Sequence, residues 1–128
     1  MKVLLDTHTL LWALEAPAKL SGPARRLIDD PASELLLSIA TPWELAIKTN
    51  AGKLDAEKIL EMFDLLATSG SYEMLLTTAS QVIHAGRLPL HHRDPFDRLL
   101  AAQALELGIP IVSRDRIFDL YGVQRIWN

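Results

Sequence analysis

Cysteine is absent from the 128 residues. That excludes disulfide staples and thiolate metal sites, so any metal in this chain is held by carboxylate or imidazole. No apolar run approaches the roughly 18 residues that a membrane span requires. Internal repeats, low-complexity tracts and an interdomain linker are also missing. The apolar opening MKVLLDTHTLLWALEAPA is interrupted by Asp6, His8 and Glu15, and a secretory signal does not carry charges inside its apolar core. Together these absences lead us to expect a cytoplasmic protein with no membrane attachment. A strong charge bias is lacking too, since 13 Lys plus Arg against 16 Asp plus Glu leave a net charge of −3, which advertises no large nucleic-acid patch. Setting four of those acids aside as neutralised by a cation leaves twelve against 13 basic residues, so nucleic acid is not excluded.

What is present reads as one domain over residues 1–128, a length at which roughly two thirds of the unfolded surface is buried. KVLLD at 2–6 has the form of a short buried strand, and Thr7 opens an apolar helix, TLLWALE, that stops at Pro17. Ser21, Gly22 and Pro23 start the helix ARRLIDD, and LLLSI at 35–39 is a second strand. The helix TPWELAIK follows directly and ends near Gly52. Thr41 as cap, Pro42 next and Glu44 three residues on give it the spacing of a capping box. From Asp55 to Thr68, Ile59, Phe63 and Leu66 recur at helical spacing and predict one amphipathic helix. YEMLLT at 72–77 is a third strand, TASQVIHAGRL a helix, and PFDRLLAAQALELG a helix ending at Gly108. IPIVS at 109–113, a short IFDLY helix and the strand VQRIW complete the chain. Strands alternating with helices imply an α/β fold in three layers, a central parallel sheet flanked by helices.

That topology gathers acids. In open parallel α/β sheets, sites form beyond the carboxyl ends of the strands, and the helix after each strand begins at the same edge. Asp6 ends the first strand, Asp115 comes two residues after IPIVS, and Glu44 and Asp97 are expected in the first turns of helices that begin at that edge. Four converging carboxylates repel one another and raise their pKa values unless a cation sits among them. An all-oxygen site of this kind suits Mg²⁺ or Mn²⁺, and such ions support phosphodiester hydrolysis.

Each acid also has an ordinary explanation. Asp6, read first as functional from the topology, also suits a plain cap for the next helix, and Glu44 serves equally as capping-box partner and as the i, i+4 partner of Lys48. Asp97 complements a helix dipole at the third helical position, Asp94 reads as a plain N-cap, and Asp115 suits a cap for IFDLY. Asp119 points to solvent by spacing, and His91 with His92 reads as a polar loop pair. Trp12 and Trp43 suggest core packing before base stacking. Arg93, Arg98, Arg114 and Arg116 flank the edge, either as phosphate contacts or as surface partners of nearby acids.

LLDTHTLLWAL, WELAIKTNAGKL, DPFDRLLAAQA and IPIVSRDRIFDLYG, taken in order, cover nearly the whole chain. In this set the sequence resembles the PIN-domain ribonucleases, and most closely the VapC-type toxins of bacterial and archaeal toxin-antitoxin pairs. The resemblance implies a compact α/β fold with an acidic pocket, dependence on Mg²⁺ or Mn²⁺, and cleavage of RNA. It implies Asp6, Glu44, Asp97 and Asp115 as the catalytic, metal-binding acids, with Thr7 and Ser113 in support and Asp94 an additional acid that is not a ligand. It further implies a cognate VapB-type antitoxin and a homodimer. TPWE departs from the serine-containing approach that usually precedes WE.

Two other classes compete. An aspartyl-phosphate protein of the haloacid-dehalogenase type wants DxD after the first strand, whereas Asp6 is followed by Thr7 and His8. A receiver domain wants a Lys after a late strand, and no Lys occurs beyond Lys58. A non-catalytic module that uses the same fold to bind RNA or protein is disfavoured by the presence of all four acids.

Overall fold

The computed structural model describes residues 1–91 and 93–128. Its centre is a five-stranded sheet in the order β3-β2-β1-β4-β5, formed by β1 (Lys2–Leu5), β2 (Glu34–Ser38), β3 (Glu73–Leu75), β4 (Ile111–Val112) and β5 (Arg125–Ile126). Every neighbouring pair is parallel, with Leu5 opposite Leu37 on one side and Val112 on the other. Between them run α1 (Thr7–Glu15), α2 (Gly22–Asp29), α3 (Ala40–Asn50), α4 (Glu57–Glu61), α5 (Phe63–Thr68), α6 (Ala79–Arg87), α7 (Pro95–Leu107) and α8 (Ile117–Leu120), with a 3₁₀ turn at Pro17–Lys19.

The near-continuous apolar strands follow from burial on both faces. Successive side chains alternate sides, so Val3, Leu5, Leu35, Leu37 and Val112 join one core with Leu10, Ala24, Leu45, Ile59, Phe63 and Leu66 from α1 to α5. Leu4, Leu36 and Ile111 join the other with Leu100, Ala101 and Ala104 of α7 and Phe118 of α8. Leu4 and Leu5 are wholly buried, each contributing about 1.5–3 kcal/mol relative to exposure. The three layers expected from the alternation of strands and helices are present.

Several local expectations are corrected. Thr41 does not cap α3. The helix starts at Ala40, two residues closer to β2 than expected, with no side-chain cap bond at Ile39, and Ser38 Oγ accepts from the Ala40 N–H at 3.2 Å. Thr41 Oγ1 is buried and has no hydrogen-bond partner among the described residues. Pro42 remains tolerated because the early helical N–H groups lack acceptors anyway. A capping box exists elsewhere, between Thr78 and Gln81 at the start of α6.

The helix predicted over Asp55–Thr68 is divided into α4 and α5 by Met62, whose φ −98° and ψ 7° lie in the bridge region. Met62 is partly exposed, so no packing opposes the break, and Ile59, Phe63 and Leu66 still face the core. Trp43 is not a core residue: it is 63% exposed and meets Phe96 edge-on at 5.2 Å. At the end of α7, Gly108 adopts φ 64°, the left-handed conformation in which glycine ends helices. His91 packs against the Tyr121 ring, whereas His92 lies outside the described residues.

Candidate active site

With this strand order, β1 and β4 are adjacent while their following connections diverge, which makes the crevice beyond their carboxyl ends the switch point of the sheet. Asp6 leaves β1 there. Its N–H donates to the Val112 carbonyl at 3.2 Å, and its side chain caps α1 by accepting from the Thr9 N–H at 2.8 Å. The other carboxylate oxygen accepts a hydrogen bond from Ser113 Oγ, just past β4. Thr9 Oγ1 donates to the Val112 carbonyl at 2.8 Å, a second tie between α1 and β4. Burial pushes the Asp6 carboxyl up, and the bonds from Ser113 and Thr9 pull against that rise.

Glu44 is buried. Because α3 begins at Ala40, Glu44 stands beyond the first turn and is free of any capping bond. Its Oε1 accepts from Thr7 Oγ1 at 2.5 Å, and its Oε2 pairs with Lys48, one turn along α3. The same Lys48 ammonium reaches Asp94 at 3.5 Å. Burial alone would lower the Lys48 pKa, but Glu44 and Asp94 outweigh it and the pKa is raised.

Asp94 is the N-cap of α7, accepting from the Phe96 N–H at 2.9 Å, with Pro95 at the first helical position. Asp97 follows in the first turn. Its carboxyl is pushed up to about 8, first by burial and then by the charges of Asp94, Glu44, Asp6 and Asp115. Asp115 accepts from the Ile117 N–H at 3.0 Å in the turn before α8, but it is not the cap expected of it, since Arg116 holds the N-cap position and makes no side-chain cap bond.

Asp6, Glu44, Asp94, Asp97 and Asp115 line one cavity of about 480 Å³ together with Thr7, His8, Trp12, Lys48, Arg114 and Arg116. Ordinary capping and a shared pocket are therefore compatible, since Asp6 and Asp94 do both. Among the described residues, no group of three or more carboxylate or imidazole side chains is arranged to hold a metal ion. The donor set nevertheless suits one: hard oxygen ligands in excess over the local cations, around a carboxyl whose pKa is raised first by burial and then by its neighbours' charges.

Arg98 lines a separate apolar groove with Trp43, Val82, Phe96 and Leu99, and Arg93 is exposed outside the pocket lining. Asp119 pairs with Arg125 at 3.0 Å, at the surface as its spacing suggested. His8, Trp12 and Lys48 are pocket residues that sequence reasoning did not count. The early position of His8 and Trp12 on the helix after β1 was the available signal, and for Lys48 it was the i, i+4 spacing from Glu44.

The sequence pattern of the PIN domain matches residues 3–123. The chain belongs to the PIN domain family. Within that family it falls in the VapC ribonuclease branch, being 33% identical over 116 residues to Ribonuclease VapC22 of Mycobacterium tuberculosis, which spans 89% of this chain and 87% of the relative. Solved PIN-fold structures agree in fold. VapBC2 from Rickettsia felis, bound to a DNA fragment from their promoter, superposes with TM-score 0.70 at 16% identity over the whole of both chains. FitAcB from Neisseria gonorrhoeae gives 0.65 at 18% identity over 98% of this chain and 96% of the other. VapBC-1 from nontypeable Haemophilus influenzae gives 0.62 at 19% identity, over 98% and 97%. Among the described residues, no helix of this PIN domain is long and apolar enough to cross a membrane.

Proposed function

We propose that residues 1–128 form a single PIN domain acting as a cytoplasmic, metal-dependent endoribonuclease, the toxin of a toxin-antitoxin pair, with Asp6, Glu44, Asp97 and Asp115 as its chemical centre. The observation that carries this is the single cavity at the β1/β4 switch point, lined by all four acids, in a chain of the VapC branch. The four acids would hold Mg²⁺ or Mn²⁺. When bound, such an ion supplies positive charge against the scissile phosphate and makes water at the site more acidic.

The chain's own residues do the positioning. Ser113 and the Thr9 N–H each hold one oxygen of Asp6, and Thr7 holds Glu44, so two carboxylates, one just after β1 and one on α3, are kept in fixed orientations. Arg114 and Arg116 are exposed at the pocket, where planar guanidinium groups suit the oxygens of a phosphodiester. Trp12, in the same lining, offers a face for a base.

The names of the solved relatives pair each with a second protein, VapBC or FitAcB, which supports a VapB-type antitoxin for this chain. Exposed Trp43 and Ile47 on α3 suit an amphipathic partner helix. A homodimer is part of the same proposal, since symmetric pairs are the commonest assemblies. One observation favours a non-catalytic RNA- or protein-binding PIN module instead: the acids are not arranged as ligands among the described residues.

Incubating the purified chain with single-stranded and structured RNA decides between the two. Cleavage with Mg²⁺ or Mn²⁺, abolished by EDTA and by Asp6→Asn in a folded variant, is the expected result. Intact RNA under all conditions would leave the binding module.

A further inference from the structure

The Lys48 ammonium is enclosed by two carboxylates of the acidic pocket. It pairs with Glu44 Oε2 and lies 3.5 Å from Asp94 Oδ2, which ties the middle of α3 to the cap of α7. Glu44 is almost fully buried, its side chain 4% exposed, and that of Lys48 is 25% exposed. A buried carboxylate that loses its paired cation is strongly penalised, so this contact is more than a surface pair. The pocket also has a definite charge balance. Five carboxylates face one Lys and two Arg in its lining, and with all of them ionised the surplus is two negative charges, that of one divalent ion.

We propose that Lys48 is the resident cation of the Glu44–Asp94 half of the pocket, so that the site takes up one divalent ion per chain and Lys48 does what a second ion would do in a two-ion nuclease site. This rests on the metal-dependent reading above. In two-ion phosphodiesterases a pair of ions clamps the attacking and leaving oxygens. Here one of those positive centres is built into α3, four residues after Glu44, and is present before any ion arrives. An ammonium in that place repels a second divalent ion strongly at short range.

The test counts Mn²⁺ bound to the full chain by titration calorimetry and by the electron spin resonance of free Mn²⁺, without RNA. Wild type is expected to bind one Mn²⁺ per chain, and Lys48→Arg, which keeps the charge, also one. Lys48→Met is expected to bind two, with second-ion affinity raised on the order of 100-fold over wild type. Two ions of similar affinity in wild type overturn the proposal without any variant being needed. A folded Lys48→Met that still binds one ion at unchanged affinity overturns it too. Absence of Mn²⁺ binding in every form overturns this proposal and the metal-dependent reading together, whereas two ions in wild type leave that reading standing.

Discussion

Asp94 and Asp97 stand around the start of α7 and line the same pocket in different ways. Asp94 is spent on the Phe96 N–H and Lys48, while the Asp97 carboxyl is pushed up to about 8 by burial and by its acidic neighbours. An acid whose folded pKa exceeds its unfolded value, here 3.8, keeps its proton longer in the native state. Across the window from 3.8 to about 8 the unfolded chain has released that proton and the native chain has not, so stability falls as pH rises and levels off above the window. Asp97→Asn removes that loss. Melting curves in EDTA should show the variant gaining on wild type steadily from about pH 5 to pH 8; a pH-independent difference would contradict the account. Asp94→Ala should instead lose about 0.5–2 kcal/mol of capping at every pH where the carboxylate is ionised, read as a lower urea midpoint at unchanged slope.

Helix starts are where sequence and structure agree least. The spacing of Thr41 and Glu44 satisfies a capping box, yet α3 begins at Ala40 and Glu44 reaches across to Thr7. Short-range spacing cannot register a competing long-range partner, and here a buried bond to another helix prevailed. The box that does form, Thr78 with Gln81, is further secured because Gln103 Nε2 donates to Gln81 Oε1 at 3.2 Å. Thr78→Ala should therefore cost about 0.5–2 kcal/mol, while Thr41→Val, which removes a buried hydroxyl without a partner among the described residues, should be neutral or stabilising. Chemical denaturation of the two variants checks the contrast, and a Thr41→Val loss as large as that of Thr78→Ala would restore Thr41 as the cap. The division of the predicted 55–68 helix at Met62 was equally illegible, because the apolar spacing of Ile59, Phe63 and Leu66 runs through it unchanged.

For the whole molecule, the alternation of strands and helices was enough to specify a parallel sheet between two helical layers, and edge logic alone placed Asp6, Glu44, Asp97 and Asp115 near one another. Strand order was not legible, and it is the order β3-β2-β1-β4-β5 that sets Asp6 beside Ser113 at the switch point. Lys48 as a bridge to Asp94 depended on the packing of α3 against α7, which no spacing encodes. The assembled pocket links ion binding to stability. Mg²⁺ should raise the melting temperature of wild type and raise it less in Asp97→Asn, a comparison that equal shifts would contradict.

The central claim is that the acids of this pocket, beyond their capping, carry metal-dependent RNA cleavage. Single-turnover cleavage of one RNA in Mn²⁺ by wild type, Asp97→Asn and Asp94→Ala, each verified as folded, tests it most directly. A neutral amide is a poor ligand for a hard divalent ion, so Asp97→Asn should be slower by at least about 100-fold. Asp94→Ala should stay within about tenfold of wild type, since its largest loss is a helix cap. Full activity in Asp97→Asn, with Asp94→Ala inactive at unchanged stability, would contradict the account and make Asp94 the ligand.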